Sequence, residues 1–153
     1  MSVPSHIQNI IGKTSNEISN GAQSNCFWAT KYFFEPHSLP PQKLNGNEIL
    51  KFIADNFTQV GNPTTYDVFI IWNSSDVQLS PQKIDVHYLA TFPQGFPLGL
   101  IIEHSGVYLE NSDVFQKASS KEIDKFQILK KEQVFLPYAN LSWKKITYHR
   151  RKI

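Results

Sequence analysis

Residues 98–119 read LGLIIEHSGVYLENSDVFQKAS, and this stretch decides the fold class. Its first part, 98–109, is dominated by branched apolar residues and suits a strand. Asn111, Ser112 and Asp113 are turn formers. The segment 114–119 (VFQKAS) then returns as a hairpin partner. In such a hairpin His104 and Gln116 come within the cross-strand reach of about 5 Å. Further strands are expected on both sides. YDVFIIW (66–72) is a short continuous apolar run that suits a central strand, and VHYLATF (86–92) alternates as a half-buried strand does. FQILK (126–130) and LSWKKITYH (141–149) add shorter ones.

The first third of the chain reads differently. Residues 5–11 (SHIQNII) predict a short helix with Ile7, Ile10 and Ile11 on one side and Gly12 ending it. Residues 13–25, rich in Ser and Asn, read as loop. In NCFWATKYFF, Ser24 or Asn25 can accept from the free N–H groups of a helix start. Cys26, Ala29, Thr30 and Phe33 then share one helical face, with a strand as the competing reading of so aromatic a run, and Pro36 forbids a long continuation. Asn45 and Glu48 have capping-box spacing. The helix they open has Ile49, Phe52, Ile53, Phe57 and Val60 as its buried stripe and Gly61 as its C-cap. Helices first and an antiparallel sheet later make an α+β arrangement in a single domain, 1–153.

Composition sets bounds on function. At 153 residues, 41% apolar and 18% charged, the chain can bury a core of its own. Cys26 is the only cysteine, which excludes an intrachain disulfide and a multi-cysteine metal site. The net charge is +2. The basic cluster Lys144, Lys145, Arg150, Arg151 and Lys152 reads as a solvated tail. It is short, and the aromatics follow core periodicity, so no nucleic-acid partner is expected. No signal peptide and no stretch long enough to span a bilayer is present, so a signal is either absent or removed.

A thiolate is the nucleophile of cysteine hydrolases, and the first turn of a helix favours the anion. The same N–H groups can hold an oxyanion. Cys26 is therefore a candidate nucleophile, expected to open into a groove. The base must come from five histidines. His6, His37 and His149 read as loop or terminal positions, whereas His87 and His104 fall in expected strands. His104 has the hairpin partner, and Gln116 can fix its ring by accepting from one imidazole nitrogen.

These residues also carry a resemblance. Asn25-Cys26-Phe27-Trp28 at a helix start resembles the nucleophile segment of NlpC/P60 proteins. Tyr66-Asp67-Val68-Phe69 is similar to that family's Gly-Asp-Leu-Val strand, with Tyr66 in place of Gly. His104-Ser105-Gly106-Val107-Tyr108-Leu109-Glu110-Asn111 is similar to its His-x-Gly-Ile-Tyr-Leu-Gly-Asn, and Gln116 falls at the family's third polar position, twelve after the histidine. Asn25 and Phe27 replace the usual Asp and Ser around the cysteine, so the resemblance is to a divergent branch.

The resemblance implies a papain-like α+β fold with N-terminal helices packed on an antiparallel sheet. It implies hydrolysis of amide bonds in peptidoglycan stem peptides, with no cofactor, by a protein of the cell envelope or secreted from the cell, a cytoplasmic place being the alternative. Cys26 would be the nucleophile, His104 the base and Gln116 the orienting residue. Two other functions share these features: an acyltransferase, deamidase or secreted effector on the same fold, and a non-catalytic binding module.

Overall fold

The computed structural model describes residues 3–37, 40–75, 78–93, 95–118, 124–138 and 144–152. Its architecture is α+β, with helices packed on an antiparallel sheet. The short helices α1 (Ser5–Gln8) and α2 (Ser15–Ile18) come first, then α3 (Cys26–Phe34) and α4 (Gly46–Asn56). The strands are β1 (Phe57–Val60), β2 (Val68–Asn73), β3 (Ile101–Tyr108), β4 (Asp113–Lys117), β5 (Phe126–Lys130) and β6 (Lys144–Arg151). Helix α5 (Val86–Leu89) lies between β2 and β3, and α6 (Lys131–Phe135) between β5 and β6. The sheet order is β1-β6-β2-β3-β4-β5, and each neighbouring pair is antiparallel.

The elements with local signals form where the sequence places them. Asn25 caps α3 by accepting from the Trp28 N–H at 3.1 Å. Asn45 and Glu48 make the reciprocal capping box of α4. Asn111 and Ser112 take positive φ values of 58° and 66° in the turn between β3 and β4. β5 covers FQILK as expected.

Four expectations are corrected. The helix opened by Asn45 stops at Asn56, not Gly61, and Phe57–Val60 form β1 against β6. The Asn56 amide donates back to the Phe52 carbonyl, and the ladder with β6 outcompetes another helical turn. VHYLATF is not a strand: Asp85 accepts from the Tyr88 N–H and starts α5, whose buried Val86 and Leu89 fit helical spacing as well as alternation nearly does. The supposed loop 13–25 holds α2, nucleated by a Thr14–Glu17 capping box. The basic cluster is not a loose tail, because Lys144–Arg151 is an interior strand. There Arg150 forks onto buried Asp67 at 3.1 and 2.9 Å, and Lys144 pairs with Glu103 at 2.9 Å. Residues 119 and 141–143 of the expected strands lie outside the described residues.

The sheet buries both faces. Val68, Ile70, Trp72, Val107 and Phe115 pack with α3 and α4 in the main core. Phe69, Ile71, Tyr108 and Val114 pack under α6 with Val134 on the other face. This two-sided burial explains why β2 reads as a continuous apolar run instead of an alternating one.

Candidate functional site

Cys26 is the first residue of α3, and its position is fixed by two contacts to the His104 strand. The hydroxyls of Thr30 and Ser105 lie 2.7 Å apart. Both also reach the Cys26 carbonyl oxygen, at 3.0 and 3.5 Å. The N-cap is anchored as well, since the Asn25 amide donates to the Leu44 carbonyl at 2.7 Å and holds α3 against the loop before α4.

His104 lies on β3, paired with Ile71 of β2. Its Nε2 is 2.5 Å from Gln116 Oε1. Because the amide oxygen only accepts, Nε2–H donates, and Nδ1 of the neutral ring keeps its lone pair. The contact is diagonal across the hairpin, since the register Val107↔Phe115 sets Gln116 opposite Gly106. Gly106 makes room for this arrangement: a Cβ there would meet the Phe69 ring at 2.6 Å and the Phe115 carbonyl oxygen at 2.8 Å. The Phe69 ring in turn abuts His104, with centroids 5.9 Å apart.

The site is drier than expected. Cys26 is 6% exposed and His104 4%, so the cysteine does not open into a groove as the sequence reading required. Burial pushes the Cys26 thiol up to about 11, against the opposing pull of the backbone N–H groups of Ser105, Cys26 and Phe27 and of the Lys117 charge. Burial also lowers His104, and the Gln116 hydrogen bond opposes that shift. The resting pair is therefore a neutral thiol and a neutral imidazole. Among the described residues no hydrogen bond joins Cys26 to His104. The structure thus brings His104 and Gln116 into contact and sets Cys26 beside the same strand without closing the last link.

The topology explains this spacing. Ser105 faces α3, so His104, its neighbour in the strand, faces the opposite side of the sheet with Phe69. The β3–β4 ladder registers only Val107↔Phe115 and Tyr108↔Val114. Beyond it, Ser105 turns its N–H toward the Cys26 sulfur, and Lys117 is near enough for its charge to favour the thiolate. The sulfur sits where the two strands part.

Of the other histidines, His87 and His149 depart from their sequence reading. His6 belongs to α1 and donates to the Phe33 carbonyl at 3.0 Å. His87 is on α5, not on a strand. His149, read as terminal, is on β6 and only 1% exposed. Two features escaped the sequence reading, the Thr30–Ser105 lock and the buried Lys117. Thr30 carried a signal, since it shares the helical face of Cys26. Among the described residues no cluster of three or more His, Cys, Asp or Glu side chains is arranged to hold a metal ion. No helix among them is long and apolar enough to cross a membrane.

No family model, no curated protein and no solved structure matches this chain.

Proposed function

We propose that this chain is a cysteine hydrolase of the NlpC/P60 type with a papain-like fold, acting on amide bonds of peptidoglycan stem peptides at the cell envelope or outside the cell. One observation carries the reading. A cysteine heads a capped helix that is locked to a histidine strand, and the histidine is already held by a glutamine acceptor. A second supports it. Tyr66, which stands where the family has Gly, takes φ = 70°, the left-handed conformation that favours glycine.

In this reading Nδ1 of His104 takes the Cys26 proton, and the thiolate attacks the substrate carbonyl carbon. The backbone N–H of Cys26 helps to hold the oxyanion. His104 then protonates the amine as the C–N bond breaks, and water hydrolyses the thioester. Gln116 fixes the tautomer throughout. The proton transfer requires the Cys26 sulfur and the His104 imidazole, which face opposite sides of the sheet in the resting structure, to be brought within hydrogen-bond reach. Closing that distance is the work of substrate binding, which also strengthens the interactions of a water-excluded site.

The burial of Cys26 and its raised thiol favour a second reading, a non-catalytic module. Two measurements separate them. The first is digestion of purified peptidoglycan, with released amines quantified. The second is the rate of a thiol-reactive probe with and without muropeptide. The enzyme releases amines and labels faster when muropeptide opens the site. Absence of both effects removes the catalytic reading.

A further inference from the structure

A sizeable cleft of the structure lies away from Cys26. It lies between α4, β1, α5 and β6 and has a volume of about 540 Å³, within the range of small-molecule sites. Ile53, Phe57, Ile84 and Val86 give it apolar walls. His149 lines it from β6, and Asp85 and His87 stand at its rim.

His149 is held by a buried relay. Trp72 Nε1–H donates to Thr147 Oγ1 at 2.9 Å, and Thr147 Oγ1 is 2.8 Å from His149 Nε2. An indole N–H can only donate, so the Thr147 oxygen is an acceptor toward Trp72. Thr147 has no other side-chain hydrogen bond among the described residues, so its own proton goes to His149 Nε2. With Nε2 accepting, the neutral ring carries its proton on Nδ1. That Nδ1 has no partner among the described residues. Yet none of their side-chain N or O atoms is sealed away unsatisfied. Nδ1–H therefore meets the space of the cleft. Burial depresses His149 to about 4, which keeps the ring neutral at physiological pH.

The geometry points to a second binding site here, for a small uncharged molecule with an apolar body and one buried acceptor oxygen, an amide carbonyl being the best fit. A neutral donor at the floor satisfies a carbonyl. It leaves a carboxylate without its counter-charge, so an anion would lose more on desolvation than it gains. The apolar body then covers Ile53, Phe57, Ile84 and Val86. This site rests on residues separate from Cys26, His104 and Gln116 and stands whether or not they are catalytic.

The test uses the full chain, N-acetyl-leucinamide as probe and free N-acetyl-leucine as its charged control, followed by amide and methyl NMR. A long-range proton–nitrogen spectrum should first show Nδ1 of His149 as the protonated nitrogen. The amide should then shift His149, Ile53 and Ile84 saturably, at least tenfold more tightly than the acid. His149→Phe keeps the ring and removes the donor, so binding should weaken by about five- to tenfold, the effect of one hydrogen bond. Thr58→Trp adds a ring from an exposed rim position and should abolish binding, which decides the matter if His149→Phe fails to fold. A proton on Nε2 overturns the proposal. So does absence of saturable shifts, equal binding of the acid, or unchanged affinity in Thr58→Trp.

Discussion

The hydroxyls of Thr30 and Ser105, 2.7 Å apart, fasten the Cys26 helix to the His104 strand. Both are fully buried, and each also addresses the Cys26 carbonyl. Removing one leaves the other a reduced set of partners, so Ser105→Ala and Thr30→Val should each destabilise the fold by about 1 kcal/mol. The double variant should cost less than the sum, because the pair shares one interaction. Urea unfolding of the four proteins measures the coupling. Strict additivity would mean that the two hydroxyls do not interact.

Cys26→Ala and His104→Ala should each abolish amide hydrolysis and leave the far-UV spectrum intact, since members of one catalytic unit fail together. Gln116→Ala should lower turnover by roughly ten- to a hundredfold, because the partner it removes orients the imidazole and carries no charge. His87→Ala should be active, as His87 is exposed on α5 and stands outside the β3–β4 hairpin that holds His104 and Gln116. An inactive His87 variant beside an active His104 variant would reverse the assignment.

Stability should fall in mild acid because of His149. Its imidazole is held neutral by burial, with a value of about 4 against 6.5 for the free side chain. Between those values the unfolded chain binds a proton that the folded one refuses, so stability is full above pH 6.5 and declines as the pH drops toward 4. The decline is on the order of 3 kcal/mol. Denaturation midpoints at pH 7, 5.5 and 4.5 should show it, and His149→Phe should flatten the curve. A slope unchanged in that variant would assign the acid sensitivity to other groups.

Gly106→Ala should be costly for a residue that gains a single methyl. The added carbon has the Phe69 ring and the Phe115 carbonyl in its space, at 2.6 and 2.8 Å. Overpacking of this kind costs about 1–3 kcal/mol. The Phe69 ring also supports His104, so activity should drop further than stability alone explains. A variant that melts like the parent would show that the strand has slack.

What the sequence discloses follows the range of the interactions. The starts of α3 and α4 are written in neighbouring residues, Asn25 toward Trp28 and Asn45 toward Glu48. The His104–Gln116 pairing was legible for the same reason: a three-residue turn sets the register of the hairpin. Phe57–Val60 was misread because its partner, Tyr148–Arg151, is distant in the chain, and its apolar spacing also continues a helix. His149 was misread with it, since only the long-range ladders with β1 and β2 bury that end of the chain. The alternation of Ile146 and Tyr148 against Thr147 and His149 was the available clue. Burial of Cys26 was beyond reach, because it depends on how β3, β4 and the helix start meet in space.

The place of β6 governs how the molecule comes into being. It is inserted between β1 and β2, so a growing polypeptide holds both of those strands with open edges until residues 144–151 have left the ribosome. Such edges invite pairing with other chains. Non-local pairing of this kind also slows folding, since a long loop must close before any ladder bond rewards it. Synthesis halted before residue 144 should therefore yield aggregates instead of a smaller folded unit, whereas release of the full chain should let β1 and β2 zip onto one late strand.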